Sequence, residues 1–213
     1  MKKLFFVFFC LSLIVIFFSC KKESSDELNG EQSPMGEVGV TVSSSYSEIA
    51  GVSNFSAIVT SLDNGISTYS GTATVTNAFF KNMLSNFPGV TIDGDQVTLT
   101  GMQIQQTKEG IKCLTGSNSG VMVKYDSEVG DTYPIGNTGE VRTVVSKTGV
   151  DDYPYGFYMI KTIQVEMAPV ALKSGSVLNY TFIYNHKYGL VGVEVDFDDG
   201  TSASFPVYTG AEN

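Results

Sequence analysis

The segment Asp151-Asp152-Tyr153-Pro154-Tyr155-Gly156-Phe157 sets two carboxylates beside aromatic rings. Rings stack on the C–H faces of a sugar and carboxylates accept from its hydroxyls, so a glycan is the natural ligand of such a patch. The competing reading is a hairpin loop in which Asp and Gly make the turn and the tyrosines cap the edge of a core. The chain has no tryptophan, the commonest sugar platform, which favours the loop. Asp151 and Asp152 would also serve a glycan-processing hydrolase badly. Adjacent side chains of a strand point to opposite faces, so the two make no carboxylate pair unless they lie in a loop.

His186 is the only histidine, within Asn185-His186-Lys187-Tyr188-Gly189. Imidazole can act as a general base or a metal ligand. A catalytic triad needs a nucleophile and an orienting acid, and no motif supplies them. A zinc site takes three or four His, Cys or acidic ligands, and His186 with Cys113 is too few. The segment therefore reads as a turn between strands. Glu194, Asp196 and Asp198 share a strand face next to Asp199-Gly200, but an EF-hand counted from Glu194 would need glycine where Asp199 stands, and its twelfth position is Phe205. They read as the solvent-facing row of a hairpin. Gly116-Ser117-Asn118-Ser119-Gly120 has Asn where a nucleophile elbow has Ser. With no P-loop, HExxH or CxxC, the expectation is no metal, no cofactor and no enzyme.

These residues must be held by short strands. Apolar residues alternate at Val97/Leu99, Met102/Ile104, Val121/Val123/Tyr125, Ile163/Val165/Met167, Tyr180/Phe182/Tyr184 and Val191/Val193/Val195/Phe197, each set on one face. One stretch has helical spacing instead: Ala78, Phe79, Phe80, Met83, Leu84 and Phe87 predict a short helix at 77–87, capped by Thr76 or Asn77 and ended by Pro88-Gly89. Its wide apolar face should cover a β core. Two hairpins can be placed in register. A Gly94-Asp95 turn pairs Ile92 with Val97 and Val90 with Leu99. A three-residue loop, Asp198-Asp199-Gly200, opposes Val195 to Ala203, Val193 to Phe205 and Val191 to Val207, with Gly200 at positive φ. A two-residue turn would set Val195 against Ser204 and flip the face. The fold class is mostly β: an antiparallel sandwich or a barrel-like meander with one short helix.

Formal net charge is −9, and Arg142 is the only arginine. Phosphate backbones are bound by clustered Lys and Arg, so nucleic acid is disfavoured. An acidic surface is not drawn to anionic lipid either. The N-terminus reads differently. Met1-Lys2-Lys3 is positive, Leu4–Phe18 is apolar apart from Ser12, and Ser19-Cys20 is followed by polar Lys21, Lys22 and Glu23. This is a signal peptide over 1–19. A flexible, Ser-, Glu- and Gly-rich tether over 20–36 follows, and one β-rich domain over 37–213, with a weak strand at 37–42. Loss of Cys10 and modification of Cys20 leave Cys113 without a disulfide partner; following Ile111 and alternating with Lys112, it should be buried.

Phe17-Phe18-Ser19-Cys20 resembles the lipobox read by the lipoprotein signal peptidase. It departs from the commonest pattern, which has Leu three before the Cys and a small residue two before it. Ser-Cys-Lys-Lys-Glu is similar to the start of lipoproteins of the Bacteroidota. That resemblance implies lipid on Cys20 and attachment to the outer membrane, on its periplasmic or its cell-surface face. The functional expectation is a cell-envelope lipoprotein acting as a non-catalytic binding or structural module. A lipocalin-like carrier of a small apolar ligand is the second reading, and a glycan-processing enzyme the third. A ligand site would draw on Asp151, Asp152, Tyr153, Tyr155 and His186.

Overall fold

The computed structural model describes residues 26–44, 51–85, 87–168 and 177–210. Cys20 and the signal segment lie outside the described residues. In chain order come β1 (Thr41–Ser43), β2 (Val52–Asp63), β3 (Ile66–Val75), the helix α1 (Ala78–Leu84), β4 (Val90–Asp93), β5 (Gln96–Gln106), β6 (Gly110–Cys113) and β7 (Gly120–Lys124). They are followed by β8 (Thr132–Pro134), β9 (Val141–Lys147), β10 (Tyr153–Tyr155), β11 (Tyr158–Ile160), β12 (Ile163–Met167), β13 (Val177–Asn185), β14 (Gly189–Phe197), β15 (Ser202–Pro206) and β16 (Tyr208–Gly210).

The protein is mostly β, with antiparallel pairing throughout the described strands. One sheet runs β16-β1-β2-β3-β5-β6-β7, with β4 on the free edge of the first part of β5. It curls into a half-barrel. The other runs β15-β14-β13-β12-β9-β8. The chain passes to the second sheet after β7 and returns through Val207 to β16. Between the sheets, Ile111, Val121 and Val123 of the first pack against Val144, Ile163, Val165 and Tyr184 of the second. The architecture thus lies between the two expected forms: two facing sheets, one of them half a barrel.

Both hairpins take the expected register. Val90 pairs with Leu99 and Ile92 with Val97. Val193 pairs with Phe205 and Val195 with Ala203, Val207 N donates to Val191 O at 3.0 Å, and Gly200 has φ +82°. The Asp199 side chain accepts from Thr201 Oγ1 (2.6 Å) and Thr201 N (2.9 Å), which closes that loop and holds the carboxyl below its ordinary range. Val191 departs from its row. A bulge between Ile183 and Tyr184 sets Gly192 opposite Ile183 but Leu190 opposite Tyr184. Leu190 joins the inter-sheet core, and Val191 turns to the outer face with Ile183, under Tyr155 and Ile160 of the β10–β11 hairpin.

The helix α1 is capped by Asn77, whose side chain accepts from Phe79 N and Phe80 N. It is shorter than its apolar spacing suggests. Ser85 Oγ donates to Asn82 O at 2.7 Å and ends the last turn three residues before Pro88. Phe80 is buried against Val75 and Val97, with Phe197 and Phe205 edge-on at 6.4 Å. Burial of a ring this size contributes on the order of 2–3 kcal/mol.

Residues 26–36, expected to belong to a flexible tether, are instead seated on β5 and β6. Leu28 is buried, its carbonyl accepts from Gln105 Nε2, and Ser33 N donates to Gln106 O at 3.0 Å. Pro34–Gly36 forms a 3-10 turn that begins on Ser33, and Gly39 at φ +90° delays the first strand to Thr41. Cys113 is buried, as expected, with its thiol donating to Thr115 O.

Arg142 is fully buried between the sheets. Its guanidinium donates to the carbonyls of Val121 (3.2 Å), Pro134 (3.4 Å) and Asn118. The Gly116–Gly120 turn is therefore pinned by an interior cation, and desolvation lowers the arginine's pKa.

Candidate functional site

The strand directions divide the molecule into two ends. At one end, β3 and β14 finish, β5 begins, and α1 covers the gap with Phe79, Phe80, Met83 and Leu84. At the other, β7, β9 and β13 finish and β6, β12 and β14 begin. Here the two sheets part and leave a cleft of about 680 Å³. A drug-sized molecule or a short oligosaccharide fits a space of this size.

Tyr125, Ile163 and Tyr184 form its inner wall, and Lys108, Lys124, Lys147 and Lys161 stand around it with His186. The lysines come from four separate places, and local hydrogen bonds fix each. Lys124 closes β7, where its N–H donates to the Tyr133 hydroxyl at 3.1 Å. Lys147 closes β9, and its Nζ donates to Ser127 O at 2.7 Å and to Glu128 Oε1 at 3.1 Å. Lys108 pairs with Glu31 at 2.5 Å, and this pair holds the Glu31 carboxyl below its ordinary range. Asn185 donates to Lys161 O at 2.8 Å, while its Oδ1 accepts from Lys187 N and Tyr188 N. One amide thus shapes the His186 turn and ties it to Lys161. Thr148 and Thr162 clasp each other beside them, Thr148 N to Thr162 O at 2.9 Å and Thr162 N to Thr148 Oγ1 at 2.8 Å.

The wall tyrosines are chemically distinct from the rim. Tyr184 is only 2% exposed, and it lines the cleft. Its hydroxyl has no hydrogen-bond partner among the described residues. Burial raises its pKa steeply, and burial alone raises that of Tyr125. Both phenols therefore keep their protons at neutral pH and face the cleft as donors. The lining also holds the exposed carboxylates Glu27, Glu109 and Asp126. Among the described residues no group of three or more His, Cys, Asp or Glu is placed to hold a metal ion.

The expected site residues separate. Asp151 and Asp152 are exposed in the coil before β10 and do not line the cleft. Tyr153 is half-buried, with its hydroxyl over the backbone of Gly192, where a β-carbon would come within 2.5 Å. Tyr155 is buried, accepts from Thr209 N at 3.1 Å, stacks on Tyr188 at 4.7 Å and lies tilted against Tyr208 at 5.2 Å. Its ring is spent on the protein and offers no sugar platform. The segment 151–157 is thus the base of a hairpin, whose tip exposes Phe157, Tyr158 and Met159. Through Tyr155 and Tyr188 that hairpin braces the turn carrying His186. Only His186 of the expected set lies on the cleft. The four lysines, Tyr125 and Tyr184 were not singled out by the sequence as a site.

No family model, no curated protein and no solved structure matches the chain. Among the described residues no helix is long and apolar enough to cross a membrane.

Proposed function

We propose that the chain is a cell-envelope lipoprotein, anchored to the outer membrane through Cys20, and that its β domain acts by binding rather than catalysis, with the open-end cleft as its binding site. The observation that carries the binding reading is the cleft itself. In an acidic chain, four lysines and the single histidine meet around two protonated tyrosines, at the end of the sandwich opposite α1. A second reading, a carrier of an apolar ligand within a barrel, has less support. The space between the sheets is filled by Val121, Val123, Tyr133, Val144 and Val165, none of them exposed.

The anchor and the cleft are close along the chain. Glu27 and Asn29 line the cleft, seven and nine residues beyond Cys20. A chain of that length reaches at most roughly 30 Å, so lipid on Cys20 keeps the cleft near the membrane surface. Anchoring is tested by Cys20→Ala, with palmitate labelling and membrane fractionation as readouts. Loss of label and release from the membrane are expected. Continued membrane association after signal removal would contradict it. Binding is tested by titrating the full chain with candidate envelope ligands and following Tyr125 and Tyr184 by fluorescence or NMR. Tyrosine signals that respond to none of them would count against the cleft.

A further inference from the structure

We infer that the cleft takes an acidic, hydroxyl-rich ligand, of which a uronic-acid oligosaccharide is the simplest chemical class. This inference rests on the reading of the cleft as a binding site and specifies what enters it. The first support is the Tyr184 hydroxyl. It belongs to a residue 2% exposed that lines the cleft, and it has no partner among the described residues. The hydroxyl can therefore donate to an acceptor that enters the cleft. Tyr125, which is half-buried, adds a second phenol to the same wall.

The second support is the distribution of charge around these phenols. Lys108 and Lys147 are already paired with Glu31 and Glu128. Lys161 has no ion-pair partner among the described residues, and the Asn185 amide holds its backbone against the His186 turn. A ligand carboxylate placed between Lys161 and the wall phenols would receive donors from both sides, one of them charge-assisted. A bare inorganic anion would meet Glu27, Glu109 and Asp126 in the same space and be repelled. Sugar hydroxyls would donate to those carboxylates while the ring carboxylate meets the lysine. Donors and acceptors are thus both used only if the ligand carries hydroxyls as well as a negative charge.

The experiment is a titration of the full chain in detergent with trigalacturonate and with the same trisaccharide fully methyl-esterified. The acid is expected to bind about tenfold or more tightly than the ester, as one charge-assisted contact implies. Raised salt should narrow the gap. Lys161→Gln should abolish most of the difference, and Lys161→Arg should restore it. Tyr184→Phe should weaken acid and ester alike without lowering the melting temperature, which separates a binding role from a folding one. Equal binding of acid and ester would overturn the acidic ligand and leave the cleft as a binding site. Binding of the acid that ignores both Lys161→Gln and Tyr184→Phe would place it elsewhere and overturn the inference. Failure of both probes at millimolar concentration would overturn the inference and the binding reading together.

Discussion

The two ends of the sandwich solve the same problem in opposite ways. Wherever strands stop, backbone and core edge must be covered. At the α1 end, Phe79, Phe80, Met83 and Leu84 do this with apolar rings and chains, backed by Phe197 and Phe205. At the other end, the core edge is left to tyrosines, lysines and a histidine around a space of about 680 Å³. Apolar closure is worth more in stability, because a protonated phenol without a partner gives back part of what its ring gains. The difference suggests that the first end is kept for stability and the second for contact with something outside the chain.

The comparison breaks most visibly by mutation at the closed end. Phe80→Ala should cost about 3–5 kcal/mol, the range for an aromatic truncated in a packed core. Urea denaturation measures this; a loss well under 1 kcal/mol would mean that α1 does not seal the core. Arg142→Met is expected to cost roughly 3 kcal/mol. It leaves the carbonyls of Asn118, Val121 and Pro134 without their donor, although the methionine fills the space. Chain-wide loss of protection from hydrogen exchange, starting at residues 116–120, would accompany it.

Alkali should act on the other half of the molecule. Burial pushes the Tyr69 hydroxyl up to about 12 and raises Tyr125 and Tyr184 as well. The folded chain then holds protons that the unfolded chain gives up from about pH 10. The stability these tyrosines contribute is complete below that pH and declines as pH rises. Tyr69 alone accounts for a loss on the order of 2–3 kcal/mol between pH 10 and 12. Denaturant midpoints across that range read the slope; a flat profile would contradict the burial of these phenols. The smallest effect belongs to the exposed pair at the rim. Glu31→Gln should leave the urea midpoint within the spread of repeat measurements. Because the pair lowers the Glu31 pKa, what it contributes is present above the usual carboxylate range and vanishes as pH falls through the lowered value.

What could be seen in the sequence was whatever depends on neighbours along the chain. Alternation placed the strands, 3.6-residue spacing placed α1, and face matching placed the turns at Gly94-Asp95 and Asp198-Gly200. Val191 shows the limit. Its row looks unbroken, but a bulge set by the partner strand turns it to the other face. The segment 26–36 shows another, since its composition resembles a linker while Leu28 finds a slot beside Gly110 that only the folded sheet creates.

The site was hardly legible for the same reason. Lys108, Lys124, Lys147 and Lys161 stand far apart in the chain, each at or near a strand end, and only the sheet order brings them together. The conspicuous cluster at 151–157 proved to be a brace, because Tyr155 meets Tyr188 and Tyr208 rather than solvent. Only Lys124-Tyr125 sets one of these lysines beside a wall tyrosine in the sequence itself.

Hydrogen exchange of the full chain with and without trigalacturonate tests the contrast between the ends most directly. Added protection is expected at 124–126, 147–148, 161–163 and 184–186, with none around α1. Protection confined to α1 or to the exposed tip at Phe157, with the cleft unchanged, would contradict the account.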